Sequence, residues 1–198
     1  IGHVVLPGFR LQLTRSGEDV HYTTDGTDPR MPDDSKNPNA QTLSINNADT
    51  VISRDSVWKY LDDGTKLDDV QWTTLDYDDI QWKSGPAELG YGDDDEATAV
   101  NKGGSVSKTH NTIYFRRHFT LNSVNRGDRL LLELLRDDGA VVYLNGTEII
   151  RSNMPSGTVL YSTMATAKNN LKQSQLWHSH VIDSPSIKKG ENVIAVEV

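Results

Sequence analysis

Several polar side chains that can do chemistry lie close together in the stretch RDDGAVVYLNG, residues 136–146. Arg136 precedes an acidic pair, Asp137 and Asp138, and Asn145 follows the apolar run. Carboxylates, guanidinium groups and amides can bind a metal ion, transfer protons or hydrogen-bond the hydroxyls of a sugar. Aspartate also bonds backbone amides and tolerates turn geometry, so the same pair can form a corner between two strands. We favour the corner, with Arg136, Asp138 and Asn145 as candidate sugar-binding residues.

The sequence lacks the familiar catalytic motifs. It has no G-x-S-x-G nucleophile elbow, no H-E-x-x-H zinc motif and no G-x-x-x-x-G-K-[ST] phosphate loop. It has no cysteine, which excludes disulfides, thiol catalysis and cysteine-ligated zinc. A glycosidase needs two carboxylates placed across a cleft, and no particular pair stands out here. We therefore expect no catalytic residues and no enzymatic activity in this chain.

An acidic loop is the best candidate for a metal site. Four carboxylates follow one another inside GDDDEAT, residues 92–98: Asp93, Asp94, Asp95 and Glu96. Calcium prefers hard oxygen ligands in a flexible loop, so this loop could hold a structural calcium ion. The D-x-[DN]-x-[DN]-G calcium pattern is not matched, and a solvated turn explains the same charges. LDDGTKLDD, residues 61–69, is a weaker calcium candidate, and His178 with His180 lacks a third ligand for a transition metal.

Aromatic rings would supply the other half of a carbohydrate site. They cover the apolar C–H faces of pyranose rings, while polar groups bind the hydroxyls. Trp177 and Tyr91 are the preferred candidates, because Trp177 lies near a long loop and His178, and Tyr91 lies within a Gly-rich loop. Packing is the expected role of the other large aromatic residues considered: Trp58, Trp72, Trp82 and Tyr161.

The elements that must position these residues are predicted to be strands. In residues 112–121 the side chains alternate, and one face combines Ile113, Phe115, Arg117 and Phe119. We expect that face to point inward, where its arginine would need a carboxylate partner. RLLLELLR, residues 129–136, is apolar on both faces, as is typical of a central strand. Asn145-Gly146 predicts a two-residue hairpin, and the spacing of short strands and turns predicts a sandwich or barrel.

One segment near the start of the chain resembles a known module. VHYTTDGTDPR, residues 20–30, is similar to the signature of the chitobiase/β-hexosaminidase C-terminal-type module, a small immunoglobulin-like β-domain of secreted bacterial proteins. The resemblance covers about residues 5–45, which is shorter than the usual module. It implies a partial module, a short immunoglobulin-like β segment, over residues 1–47.

A second resemblance covers about residues 48–198. Four segments follow the order of a galactose-binding-like jelly-roll domain, as fused to secreted hydrolases, phosphoesterases and lamin-tail or spore-coat-H-like proteins: DYDDIQWKSGPAELGYGDDDEAT, YFRRHFTL, LLRDDGAVVYLNGTEIIRSNMP and ENVIAVEV. The sugar-binding domain of β-galactosidases has a similar skeleton. The resemblance implies an all-β fold with a jelly-roll β-sandwich over residues 48–198, a structural role for Trp82 and, as is common in such domains, a structural calcium ion.

The net charge of the chain disfavours some classes of binding partner. The net charge is −8 and the pI about 5.1, which disfavours nucleic acid because phosphate binding needs a basic face. No run of eighteen apolar residues exists, so we expect no membrane insertion. The chain begins at Ile1 without a methionine and ends at Val198 inside an apolar alternation, and we expect it to be a piece of a larger protein.

Together these observations predict a non-catalytic carbohydrate-binding accessory module of a larger secreted or cell-surface bacterial protein. Its partners would be a polysaccharide or glycan and the other domains of the parent protein. Two alternatives stay open. One is a structural spacer or adhesion domain without sugar binding, and the other is an auxiliary domain of a hydrolase or phosphoesterase whose active site lies elsewhere.

Overall fold

The structure is a computed structural model of the 198-residue chain. It describes the following residues: 4–5, 9–14, 18–22, 28, 31, 35–45, 48–92, 96–104, 109–124, 128–168, 176–182 and 186–198. Within these ranges the chain forms strands, turns and loops without a helix, so none of the described segments is a helix that could cross a membrane. The predicted all-β class is confirmed.

The described residues form fifteen strands. They are β1 (Val4–Val5), β2 (Phe9–Thr14), β3 (Glu18–Tyr22), β4 (Gln41–Ile45), β5 (Ala48–Ile52), β6 (Val57–Leu61), β7 (Lys83–Pro86), β8 (Leu89–Tyr91), β9 (Thr98–Ala99), β10 (Tyr114–Leu121), β11 (Arg129–Leu135), β12 (Ala140–Leu144), β13 (Thr147–Ser152), β14 (Trp177–Ile182) and β15 (Gly190–Glu197). All the pairings between these strands are antiparallel except that of β8 with β9.

Two sheets carry most of the fold. The six-stranded sheet has the order β13-β12-β15-β10-β6-β7, and the four-stranded sheet has the order β14-β11-β2-β5. The buried core draws on both sheets, with inward side chains that alternate along each strand: Leu130, Leu132 and Leu134 from β11, Val142 and Leu144 from β12, and Ile194 and Val196 from β15. Two antiparallel sheets that share one core form a β-sandwich.

The N-terminal strands contribute to this sandwich. β2 lies between β11 and β5, so Phe9–Thr14 pairs with a strand from the far side of the predicted boundary at residues 47 and 48. β3 and β4 form a separate two-stranded sheet, and β1 pairs with β8. The division into residues 1–47 and 48–198 stays a prediction, and any domain boundary has to accommodate the pairing of β2.

A second hydrophobic cluster lies on the outer face of the six-stranded sheet. Ala195 alternates along β15 with the inward residues Ile194 and Val196, so it faces away from the main core. It packs with Tyr114 of β10 and with three residues of the β6–β7 loop, which spans residues 62–82: Leu67, Trp72 and Trp82. This loop folds back over the sheet and covers it. The packing role predicted for Trp72 and Trp82 is therefore confirmed.

The buried arginine of β10 is on the outer face of the sheet. Arg116 is fully buried under the β6–β7 loop and pairs with Asp79, with 2.8 Å between Nε and the carboxylate. The predicted carboxylate partner belonged to the other arginine, Arg117, and that prediction is wrong. Arg117, which shares a face with Phe115, has no carboxylate partner among the described residues: it is half-buried, its Nη1 donates to the carbonyl of Val57, and its Nε is buried without a hydrogen bond. Both faces of β10 are covered, so the alternation of side chains does not show which of the two arginines is the more buried.

Candidate ligand-binding site

Arg136 and Asp138 lie in the crossover from the four-stranded to the six-stranded sheet. Arg136 is buried, and its guanidinium donates from Nε to Ser152 Oγ at 2.8 Å and from Nη1 to the carbonyl of Asp138 at 2.5 Å. Asn153 donates to that carbonyl as well, at 3.0 Å. Burial lowers the pKa of Arg136, against the opposing effect of the neighbouring carboxylates. These bonds hold the predicted corner between the two sheets, and they are made to the backbone carbonyl of Asp138 and to Ser152.

Tyr91 belongs to the same neighbourhood. It is half-buried against the main core, and burial raises the pKa of its phenol, with smaller contributions from Asp137 and Asp138. The ammonium of Lys102 lies 5.6 Å from the centre of its ring. Of the predicted sugar-binding residues, Arg136 and Asp138 are therefore in direct contact, and Tyr91 lies within range of the charge of Asp138.

Trp177 lies at the same end of the sandwich but on another surface. It pairs with Leu135, directly before Arg136, and shares with it the outer face of the four-stranded sheet. The guanidinium carbon of Arg54 lies 3.9 Å from the centre of the indole, and the same side chain pairs with Glu133 at 3.0 Å. One face of the ring is thus covered by a tethered cation.

The two histidines of β14 share one face, as predicted, and that face points into the sandwich. His178 pairs with Leu134 and His180 with Leu132, both core residues of β11. Burial, followed by the positive charge of Arg136, lowers the pKa of His180 to about 4. Across the described ranges, no three histidine, aspartate or glutamate side chains are placed to hold a metal ion.

The predicted calcium loop is described only in part. Asp93, Asp94 and Asp95 lie outside the described residues, and Glu96 is half-buried. In the second candidate, Asp62 is buried and engaged by Lys83 Nζ at 2.8 Å and by the amide of Asn101 at 2.7 Å. Its neighbour Asp63 accepts a bond from the Thr65 amide at 2.9 Å. Calcium binding stays a prediction.

Asn145 lies at the other end of β12 from Arg136. Its Nδ2 donates to the carbonyl of Ser186 at 2.7 Å and to Oδ1 of Asn192 at 2.8 Å, and its Oδ1 accepts from the Val193 amide at 2.9 Å. With φ of 50° it also forms the predicted hairpin turn with Gly146. Asn145 and Asn192 are therefore hydrogen-bonded to each other. Asn145 does not lie beside the other predicted site residues.

Replacing Asn145 by alanine should lower the free energy of unfolding by about 2–3 kcal/mol, because three bonds are lost and a left-handed backbone is strained. Urea denaturation measures this, and Asn145→Gly, which keeps the backbone conformation, should recover part of the loss. The exposed neighbour Thr147 is the control, and Thr147→Ala should change stability by less than about 0.5 kcal/mol. Equal effects at both positions would contradict a role for the asparagine network.

A polar groove lies between the β6–β7 loop and the β12–β13 hairpin. Its volume is about 430 Å³, and seven residues line it: Asp68, Asp69, Val70, Gln71, Thr73, Thr74 and Gly146. Gly146 has φ of 85°, and a Cβ there would lie 3.1 Å from Thr74 Cγ2. The hairpin therefore approaches the loop closely enough for a Cβ at Gly146 to press on the Thr74 side chain, and it closes one side of the groove.

The loop that carries the groove is held from below. Arg116 donates to the carbonyls of Trp72, Thr74 and Tyr77, in addition to its ion pair with Asp79. The indole of Trp72 packs against the rings of Trp82, Tyr114 and Tyr143, at centroid distances of 6.4, 4.8 and 5.8 Å. The residues on either side of Trp72 are consequently fixed in position and face the groove.

Three lining side chains keep their hydrogen-bonding capacity. Asp69, Gln71 and Thr73 have side chains without a hydrogen bond or ion pair to any part of the chain that the structure describes. Asp68 is partly engaged, since one carboxylate oxygen accepts the Tyr161 amide at 2.5 Å. The groove thus offers carboxylate, amide and hydroxyl groups to a ligand without breaking an internal bond.

Comparison with known proteins gives a partial likeness. No family model matches the sequence, and no curated protein matches it. Among solved structures, a β-glucuronidase from glycoside hydrolase family 2 is similar over 73% of this chain and 13% of its own, at 22% identity and a TM-score of 0.46. A β-glucuronidase from an uncultured Clostridium sp. is similar over 73% and 21% of the two chains, at 20% identity and a TM-score of 0.44. A family 2 glycosyl hydrolase from Bacteroides cellulosilyticus DSM 14838 is similar over 73% and 17%, at 17% identity and a TM-score of 0.43.

This chain therefore spans about a fifth or less of the length of each of these three enzymes. The similarity concerns a part of a glycoside hydrolase and not the whole protein.

The groove was not among the sites predicted from the sequence. The run DDVQWTT, residues 68–74, contains an apolar anchor, Trp72, between polar residues, which is typical of a loop fixed by one buried ring. That pattern could have marked Gln71 and Thr73 as outward-facing side chains. Nothing in the sequence connects them to Gly146, because the contact between hairpin and loop arises only in the folded sheet.

Proposed function

We propose that this chain is a non-catalytic carbohydrate-binding module of a larger secreted or cell-surface bacterial protein, and that its sugar binds in the groove. The observation that carries the proposal is the set of uncommitted side chains, Asp69, Gln71 and Thr73, on a loop fixed by Arg116. Sugar hydroxyls both donate and accept hydrogen bonds, so a carboxylate, an amide and a hydroxyl match them. The volume of about 430 Å³ falls within the usual range for small-ligand sites.

Binding at this site should be weak for a single chain. No aromatic ring lines the groove, and Val70, which is 43% exposed, is the one large apolar side chain that a pyranose ring could cover. Shallow polar sites exchange bonds with water for bonds with ligand and gain little net free energy. Several copies of a polysaccharide repeat, or further binding domains in the parent protein, would raise the effective affinity.

The groove is a better candidate than the residues chosen from the sequence. Arg136 and Asn145 make hydrogen bonds to other residues of the chain, and Arg54 covers one ring face of Trp177. A ligand at those positions would have to displace internal partners. Two further glycan contacts remain part of the proposal, one at Tyr91 and Asp138 and one at the open ring face of Trp177, as does calcium bound by residues 93–96.

The first experiment is a glycan screen followed by titration of the best ligand. Gln71→Ala combined with Thr73→Ala should weaken binding about tenfold, since two neutral hydrogen bonds of about 0.5–1.5 kcal/mol each are removed. Neither side chain makes an internal hydrogen bond in the described part of the chain, so the double variant should keep the melting temperature of the unsubstituted chain. The matched control is Gln81→Ala, an exposed glutamine of the same loop that does not line the groove.

The screen also separates the alternatives. Binding that is unchanged in the double variant would place the sugar elsewhere, with the Tyr91 surface next to be tested. The absence of binding to every glycan would favour the structural spacer or adhesion domain. The auxiliary-domain alternative predicts instead that removing this chain from its parent hydrolase or phosphoesterase lowers the activity on polymeric but not on small substrates.

A further inference from the structure

We propose that the groove selects for positively charged sugars, meaning sugars that carry an ammonium group, and against sugars that carry a carboxylate. This inference rests on the proposed function, because it names the class of sugar that the same groove accepts. The seven lining residues include two carboxylates, Asp68 and Asp69, and no lysine, arginine or histidine. A ligand in the groove therefore meets negative charge that the lining itself does not neutralise.

The cations near the groove do not line it, and two of them, Arg116 and Arg151, are paired with carboxylates. Arg116 is buried beneath the loop and pairs with Asp79. Arg151 pairs with Glu148 at 2.7 Å and donates to the carbonyls of Pro155 and Gly157. The ammonium of Lys66 lies 5.7 Å from the centre of the Tyr161 ring. None of these side chains appears in the lining of the groove.

A further carboxylate, that of Glu197, lies near the groove. Glu197 lies beneath the loop, where it accepts a bond from the Tyr143 hydroxyl at 2.5 Å. Burial raises the pKa of Glu197, and the charges of Asp68 and Glu148 raise it further, against the effects of the Tyr143 bond and Arg151. The charge preference itself rests on the two lining carboxylates: an ammonium group in the groove would be attracted by Asp68 and Asp69, and a carboxylate would be repelled.

Asp69 is the residue through which this preference can be tested. It is exposed and carries no internal hydrogen bond or ion pair among the described residues, so its replacement should leave the fold intact. An exposed pair of opposite charges at contact gives about a fivefold gain in affinity, and salt screens it. The margin between charged and neutral ligands should therefore shrink as the salt concentration rises.

The experiment uses three hexasaccharides with the same linkage, built from glucosamine, glucose or glucuronic acid, titrated into the whole chain at low salt. We expect affinity to fall in that order, with the glucosamine oligomer about fivefold tighter than the glucose oligomer. Asp69→Asn should remove most of this margin. The control Asp76→Asn changes the net charge equally on an exposed residue of the same loop outside the lining, and it should preserve the margin.

The outcomes separate this inference from the proposed function. Equal affinity for the glucosamine and glucose oligomers, or tighter binding of the glucuronic acid oligomer, overturns the charge preference while leaving sugar binding in place. An equal loss of the margin in Asp69→Asn and Asp76→Asn also overturns it, because attraction by net charge alone would then explain the result. No binding of any of the three, with no hit in the glycan screen, overturns both.

Discussion

Replacement of Arg116 by methionine should lower the free energy of unfolding by about 3–5 kcal/mol, the typical effect of breaking a buried ion pair by removing one partner. The guanidinium is fully buried and serves Asp79 together with the carbonyls of Trp72, Thr74 and Tyr77. Methionine fills similar space but leaves these acceptors without a donor. Chemical denaturation monitored by tryptophan fluorescence measures the loss.

The same substitution should also weaken glycan binding. The carbonyls that Arg116 holds belong to the segment that presents Gln71 and Thr73 to the groove, so its removal loosens the site itself. Arg116→Lys should have a stability and a glycan affinity between those of the unsubstituted chain and of Arg116→Met. An ammonium can pair with Asp79 but cannot reach three separate carbonyls.

Arg54→Met is the matched control for a charged side chain of the same type. Arg54 pairs with Glu133 at the surface and is 48% exposed, so its loss should cost less than about 1.5 kcal/mol. If the two methionine variants unfold at the same denaturant concentration, Arg116 does not anchor the β6–β7 loop.

The sequence was sufficient for those parts of the fold that depend on local pattern. The alternation of residues 114–121 gives β10, the two-sided apolar run gives the central strand β11, and Asn145-Gly146 gives the hairpin turn. Each of these signals is carried by residues a few positions apart, which is the range over which strand and turn preferences act. The corner at Asp137-Asp138 was predicted for the same reason.

The candidate site could be predicted only in part because it depends on contacts between distant segments. Arg136 and Asp138 were predicted from their residue types and do contact each other, while their role in sugar binding stays a prediction. Asn145 was predicted to bind sugar, but its side-chain amide donates to Asn192, which lies almost fifty residues further along the chain. The groove joins Thr73 to Gly146 across a still longer separation, with no local signal at either end.

The identity of the buried arginine shows the same limit. Arg116 and Arg117 are adjacent and differ only in the face on which they lie. A reader of the sequence expects one covered face on β10, and the β6–β7 loop covers the second one. The loop is held there partly by the pairing of Asp79 with Arg116, a contact between distant residues that no local sequence pattern indicates.

Trp72→Ala should be the second most damaging substitution, with a loss of about 3–5 kcal/mol in the free energy of unfolding from the removal of a large buried ring. Trp72 is 6% exposed and contacts three other aromatic rings of the outer cluster. Trp72→Phe should lose less, because part of the contact area is kept. The control Trp177→Ala removes a half-exposed indole at the edge of the four-stranded sheet and should cost less than half as much.

The location of the damage distinguishes this prediction from general destabilisation. The outer cluster lies on one side of the six-stranded sheet and the main core on the other, so the loss of Trp72 should first release the β6–β7 loop. Hydrogen exchange should therefore accelerate more in residues 67–82 than in β11, and glycan affinity should fall even where the chain remains folded. A uniform acceleration in both segments would mean that the loop and the sandwich unfold as one unit, and the groove would then be only as stable as the core beneath it.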